Sequence, residues 1–316
     1  MRKTNQPTHF FPWSADRLSF APDRYLKTIF ILLLGLICSL VACSPQGQQS
    51  DSISPSGSYI IENKGSDTMV NLALAWAEAY MKIHPQVRIS VTGGGSGTGI
   101  AAMINGTVDI ANASREMSAE ELTEAKLKQL SPVISVVARD AIVVIVHPSN
   151  PLSSLTLQQL SDIYTGKITN WQGVGGENRP IVLLSRESNS GTYVYFLENV
   201  VRMGDKASKL LFSPDTLLMP SSEGIGTEVR LNPNAIGYDG LGYVTPGMKM
   251  LGIAIDRGST SVLPSIQTVN DGSYPISRPL YMYTPGNPDE DIKAYLDWIL
   301  HDGQVLVSEL GFVPAR

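Results

Sequence analysis

The chain has 316 residues, 43% of them hydrophobic and 17% charged, which is a globular composition and enough length for two lobes of about 130 residues each. Its net charge is −5, with 24 Lys and Arg against 29 Asp and Glu. A surface of that sign repels nucleic acid and anionic lipid, so an anionic ligand would have to be held by local donors rather than by the overall field.

The N-terminus reads as a targeting segment. Arg24 and Lys27 precede an apolar run over 29–37, too short for a comfortable membrane span, which needs about 20 residues. Small residues then lead to Leu40-Val41-Ala42-Cys43. That tetrapeptide resembles the bacterial lipobox, in which cleavage precedes a cysteine that becomes lipid-modified. On this reading 1–42 is a lipoprotein signal peptide, Cys43 carries the lipid, and 43–57 is a Ser/Gln/Pro/Gly-rich flexible tether. The plainer reading is an ordinary signal peptide or short anchor in which Cys43 is incidental. Cys38 would leave with the leader, so the mature chain would have no intramolecular disulfide and no Cys/His zinc spacing.

From Tyr59 onward short apolar strands alternate with helical stretches, the pattern of an α/β protein. A strand over 59–61 leads to Gly65-Ser66-Asp67-Thr68, after which Met69, Leu72, Ala73, Trp76 and Tyr80 recur at helical spacing. A second strand, 87–91, runs into Gly93-Gly94-Gly95-Ser96-Gly97-Thr98-Gly99 and a short helix. A third, 108–111, ends in Asn112-Ala113-Ser114-Arg115-Glu116, and Ser118 with Glu121 forms a capping box for the helix that follows. The stretch 134–146, interrupted by Arg139-Asp140, reads as the strand crossing between lobes. Thr156 caps a short helix, and a strand over 181–184 leads to Arg186-Glu187-Ser188-Asn189-Ser190-Gly191-Thr192. Tyr193, Phe196, Leu197, Val200 and Val201 then follow at strong helical periodicity. Strand pieces at 235–238 and 241–244, returning strands at 248–255 and 280–283, and a closing helix over 289–299 complete the chain.

Three Gly- and hydroxyl-rich turns thus open onto helices. Helix starts offer unpaired N–H groups, glycine admits close approach, and Ser or Thr adds a donor, so each turn is a cradle for an oxyanion. Arg186, four residues before Ser190, adds a guanidinium suited to bidentate oxyanion contact, or else serves an intramolecular salt bridge. Ser66, Asp67 and Thr68 are also natural helix caps. His84, His147 and His301 are scattered away from the turns, so neither a metal site nor a nucleophile–base pair is expected.

The ordered set of these motifs, continued by 162–171 (Asp-Ile-Tyr-Thr-Gly-Lys-Ile-Thr-Asn-Trp), 235–238 and Gly311-Phe312-Val313-Pro314, resembles the phosphate-specific substrate-binding proteins of ABC transporters, the PstS-like periplasmic binding proteins. The resemblance spans nearly all of 58–316. It implies a two-lobed α/β periplasmic-binding-protein fold of type II, each lobe a mixed sheet flanked by helices, with the ligand in the interlobe cleft. Lobe 1 is expected at 58–144 and 247–316, lobe 2 at 145–246. It implies a monomeric binder of inorganic phosphate, not an enzyme, without cofactor or metal. Such a protein would be held at a membrane in the periplasm or at the cell surface, where it delivers phosphate to permease subunits. Carried over by position, the phosphate-binding residues are Ser66, Asp67, Thr68, Ser96, Gly97, Thr98, Arg115, Arg186, Ser190, Gly191 and Thr192.

One position departs from the family. Its best-known branch has an aspartate after the serine of the third strand, which accepts the proton of hydrogen phosphate; this chain has Arg115 there. Arg115 lines the cleft or pairs with Glu116 or Asp140. Asp67 is the expected replacement acceptor, with Glu116, Glu223 and Asp239 next in line. Another tetrahedral oxyanion, such as sulfate or arsenate, fits the same turns, and a sensing or adhesion lipoprotein could keep the fold without transport.

Overall fold

The computed structural model describes residues 60–315; the leader, Cys43 and the tether lie outside the described residues. Eleven strands form one mixed sheet, with β1 (Ile60–Gly65), β2 (Arg88–Thr92), β3 (Ile110–Ala113) and β10 (Ser277–Thr284) in the order β2-β1-β3-β10. The order continues through β4 (Val133–Val146), β8 (Ala235–Gly240), β6 (Val182–Arg186) and β7 (Leu217–Met219). Strand β9 (Lys249–Ala254) pairs with β4 and with β5 (Ser154–Thr156), and β11 (Val313–Pro314) pairs with β4. Pairing is parallel for β1 with β2 and β3, and for β6 with β7 and β8. It is antiparallel wherever β4 or β10 takes part.

Strand β4 belongs to both halves of the sheet. Its residues 133–141 lie against β10, and Ile142–Val146 lie against β8. Successive strand side chains face opposite ways, and a near-continuous apolar run is what a strand buried on both faces requires. Ile142, Val144 and Val146 accordingly enter one core, with Tyr164, Phe196 and Tyr238, while Val143 and Ile145 enter another with Ile225 and Val229. The first half of the sheet is covered in the same two-sided way. Helices α1 (Val70–Ile83) and α7 (Glu290–Leu300) pack Trp76, Tyr80 and Tyr295 on one face. Helices α2 (Ser96–Ile104) and α3 (Ala119–Leu127) pack Ile100, Met103 and Ala125 on the other. The Trp76 indole N–H donates to the Gly303 carbonyl at 2.8 Å, tying α1 to the end of the chain.

The capping box expected at Ser118 is formed, and the expected cap Thr156, which starts α4 (Leu157–Tyr164), makes a box of its own with Gln159. Two expectations are corrected. Residues 241–243 form a 3-10 turn rather than a strand, and the first Gly/Ser turn passes through a 3-10 turn, Asp67–Met69, before α1 begins. Strand β9 pairs with β4 and β5, and Leu251, Ile253, Val269 and Ile276 pack in the same core as Ile142 and Val144. A turn-poor apolar strand gives no local signal of which partner strand it will join.

The start of α2 rests directly on the end of β1. A Cβ on Gly99 would stand 2.5 Å from both the Gly65 Cα and the Lys64 carbonyl oxygen, closer than any carbon can approach. Gly65 itself has φ +147°, and a Cβ there would stand 2.1 Å from the Asn112 oxygen. These two glycines fix the depth at which the first and second turns meet. Alanine is about 1 kcal/mol better than glycine inside a helix, so Gly99→Ala would stabilise an unobstructed α2. Overpacking against backbone costs about 1–3 kcal/mol, and the variant is expected to unfold at lower urea than wild type. An unchanged or raised midpoint would show that the two turns can separate freely.

Candidate functional site

The three turns converge on one buried polar seam between the apolar cores. Ser66 Oγ donates to Ser114 Oγ at 2.9 Å, Ser96 Oγ lies 3.3 Å from Ser114 Oγ, and the Ser114 N–H donates to Ser96 Oγ at 3.0 Å. Thr68 and Thr192 meet hydroxyl to hydroxyl at 2.8 Å. Helix α5 (Gly191–Phe196) starts against this group: Ser190 caps it by accepting the Thr192 N–H at 3.2 Å. A Cβ on Gly191 would lie 2.4 Å from Ser96 Oγ and 2.5 Å from Ser114 Oγ. Only glycine lets the third turn sit against the second. Ser66, Thr68, Ser96, Ser114, Ser190 and Thr192 are all buried. Six hydroxyl side chains in so small a volume is a donor-rich arrangement that apolar packing has no use for.

Two arginines border the seam. Arg186, at the end of β6, is buried and spends its guanidinium on the protein. Nε donates to Met219 O at 3.3 Å, Nη1 to Ser222 Oγ at 2.9 Å and Nη2 to Pro220 O at 3.0 Å, and Nη2 pairs with Asp67 Oδ2 at 3.1 Å. Asp67 Oδ2 also accepts the Ser222 N–H at 2.9 Å, which starts α6 (Ser222–Leu231). The salt-bridge reading of Arg186 is therefore realised, with Asp67 as its partner, and an arginine so enclosed is a structural strut as well. Arg278, on β10, is the second. Its Nη1 donates to Ser114 O at 2.9 Å, and its Nη2 to Thr192 Oγ1 at 2.8 Å and to Thr68 Oγ1 at 3.5 Å. It pairs with Asp140 Oδ2 at 3.2 Å, and Arg278 and Asp140 stand opposite each other in the β10–β4 register.

The buried carboxylates are pushed up. Burial raises Asp140 above the usual carboxylate range, against the opposing pull of Arg278 and of the Leu241 N–H. Burial raises Asp239 to about 7, against Arg186 and against hydrogen bonds from Ser222 Oγ and the Gly240 N–H, both at 2.8 Å. Ser222 Oγ thus links Arg186 to Asp239.

Three expected ligands are turned elsewhere. Arg115 makes a bidentate pair with Glu121, both contacts at 2.7 Å, and donates to Glu116 O, so its partner is the capping-box glutamate rather than Glu116 or Asp140 carboxylate. Bidentate geometry suits guanidinium and carboxylate and holds the side chain against α3. The Gly97 N–H donates to the Asn189 carbonyl at 3.0 Å, and Thr98 Oγ1 accepts from Asn189 Nδ2 at 3.3 Å. Those two positions tie the second turn to the third instead of facing the hydroxyl group. Ser114, Asn189, Ser222, Asp140 and Arg278 join the seam, although the sequence motifs do not mark them as ligands. The Arg139-Asp140 break in β4 and Arg278, the lone charge in the stretch 276–283, are the signals available for two of them. Among the described residues no three His, Cys, Asp or Glu side chains gather as a metal site would need.

Comparison with known proteins agrees with this architecture. The PBP superfamily domain matches residues 46–302. The phosphate-binding protein PstS of Pseudomonas aeruginosa is 33% identical over 288 residues, covering 85% of this chain and 86% of its own. PstS of Bacillus subtilis is 30% identical over 299 residues, covering 91% and 94%. A solved structure from Clostridium perfringens, described as a phosphate ABC transporter substrate-binding protein with bound phosphate, is 34% identical with a TM-score of 0.71, covering 82% of this chain and all of that one. Matched over most of its length by family and by relatives alike, the chain belongs to the PBP superfamily and, within it, to the PstS phosphate-binding proteins.

Proposed function

We propose that this chain binds inorganic phosphate in the seam where its three turns meet and delivers it to an ABC transporter permease. The observation that carries the reading is the convergence of Ser66, Thr68, Ser96, Ser190 and Thr192, from three separate turns, on one buried hydroxyl cluster. The names of the relatives supply the ligand and the transporter. Binding rather than turnover is supported by where the histidines stand. His84 stacks on Tyr80, His147 bonds to Ser149 and His301 bonds to Asp297 O, so none of these can serve a seam hydroxyl as a base. Cys43 as a lipid anchor, with delivery outside the cytoplasmic membrane, completes the proposal.

Telling hydrogen phosphate from sulfate needs an acceptor, since both are tetrahedral dianions and only one has a proton to give. Asp67 fits this need: Oδ2 is occupied by Arg186 and Ser222, while Oδ1 lies toward Gly93 of the second turn. Isothermal titration of the purified chain with phosphate and then sulfate is expected to give one phosphate site and much weaker sulfate binding. Asp67→Asn should weaken phosphate and narrow the gap, because an amide can donate to sulfate. Equal affinity for the two anions in wild type would overturn the selectivity. Arg186→Ala should lower phosphate affinity well over tenfold, the scale of losing a partner of a buried charge, about 2–5 kcal/mol. Because Arg186 braces Met219, Pro220 and Ser222, a fall in melting temperature is expected as well.

Asp239 sets a pH dependence. Its carboxyl keeps a proton up to about 7 in the folded chain, against an ordinary aspartate value of 3.8. Between those two values the folded state binds more protons than the unfolded one, so this residue makes stability fall as pH rises through that window and leaves it level above. A tenfold difference in proton affinity between the two states corresponds to about 1.4 kcal/mol. Urea titrations at pH 5 and pH 7.5 should show a loss in wild type that is clearly smaller in Asp239→Asn. Parallel losses in the two proteins would place the titration elsewhere.

A further inference from the structure

Arg278 lies on no turn, yet its side chain reaches two of them. Nη2 is 2.8 Å from Thr192 Oγ1, at the start of the third turn's helix, and 3.5 Å from Thr68 Oγ1 in the first turn. Nη1 holds the Ser114 carbonyl, directly behind the Ser66–Ser114–Ser96 hydroxyl chain. The guanidinium is buried and stands 5.6 Å over the Tyr195 ring. Its charge is met from the strand side by Asp140, whose Oδ1 accepts the Leu241 N–H and which makes no bond to either threonine.

The chemistry of these groups fixes the direction of the hydroxyl protons. A guanidinium has donors only, and a threonine hydroxyl has one proton and two lone pairs. Where Nη2 fills a lone pair of Thr192 Oγ1, the Thr192 proton must point away from the arginine. Thr68 and Thr192 face each other at 2.8 Å, and only one proton fits between their oxygens. The other must therefore be directed outward. The pair backed by Arg278 presents at least one free O–H and a positive charge behind it, which suits an oxyanion and not a neutral acceptor-poor ligand. Arg186 is differently placed, with its contacts running to Met219, Pro220, Ser222 and Asp67.

We propose that Arg278 is the positioning residue of the anion site, holding the Thr68 and Thr192 hydroxyls as donors from a point on β10 where the chain crosses between its two cores. The inference rests on the reading that the seam binds phosphate. Because Thr68 belongs to the first half and Thr192 to the second, the guanidinium bonds to both sides only while they stand together, so anion binding and the approach of the halves are read by one side chain.

The test is a double-mutant cycle on the full chain, with inorganic phosphate titrated by calorimetry. Arg278→Lys keeps a cation beside Asp140 but cannot span both hydroxyls, and Thr192→Val removes the hydroxyl while keeping the shape. Each is expected to weaken phosphate tenfold or more, and the double variant to be no more than about threefold worse than the weaker single one. Thr192→Ser, which keeps the hydroxyl, should stay within threefold of wild type. Single losses that multiply in the double variant would mean that Arg278 acts on the scaffold alone and would overturn the assignment, as would Arg278→Lys within threefold of wild type. Should Arg278→Lys fail to fold, Arg278→Gln with Asp140→Asn removes both charges together. That pair is expected to fold and to lose tenfold or more in phosphate affinity, and wild-type affinity in it would overturn the assignment. A wild-type chain that binds no phosphate removes the phosphate reading and this inference with it, whereas a binding wild type with indifferent Arg278 variants removes this inference alone.

Discussion

Two antiparallel strands carry the chain from one apolar core to the other, and at their crossing a buried cation faces a buried anion. Arg278 and Asp140 occupy paired positions of β10 and β4, both almost wholly removed from water. Desolvating two charges costs several kcal/mol per ion and is offset only when geometry and further hydrogen bonds are good. Here the further bonds run outward to Ser114, Thr68, Thr192 and Leu241, so satisfying the pair obliges the turns to come to it. A polar seam between apolar layers is stable only if its members satisfy each other, and that requirement fixes where Ser66, Ser96 and Gly191 must lie.

The elements that repeat locally were legible in the sequence. The helical period of Met69–Tyr80, the alternation before the second turn, the capping box at Ser118 and the N-cap at Thr156 all reside within a few residues of chain, and they fold as the pattern says. What failed was non-local. Residues 241–244 look like a strand because they are apolar and contain Gly and Tyr, but they turn as a 3-10 helix, with the Leu241 N–H taken by Asp140, a residue 101 positions away. The place of β9 is decided by its partners β4 and β5, not by its own composition.

The site was legible in outline for a similar reason. Glycine and hydroxyl residues at strand ends announce turns that approach something closely, and the three turns do approach one another. Which donor faces inward is set by tertiary partners that spacing does not reveal. Arg115 looks available in the sequence, but Glu121, already fixed by its cap at Ser118, supplies a bidentate partner. Arg278 looks like an isolated charge in a strand because its partner Asp140 is 138 residues distant. Signals of that kind are two-body, and each half is unremarkable alone.

Asn189 has a consequence for how such a protein could change its ligand. Its carbonyl takes the Gly97 N–H, and its side-chain amide reaches both the Gly94 carbonyl and Thr98 Oγ1, so a loop of one half is written into the backbone of the other. The two loops therefore fit each other through three hydrogen bonds, all made by Asn189. A glycine loop transplanted from a relative with another anion preference would arrive without its complement, and the mismatch would be felt as loss of fit between halves before any new preference could show. A change that displaces Gly94, Gly97 or Thr98 therefore also breaks bonds made by a residue nearly a hundred positions away.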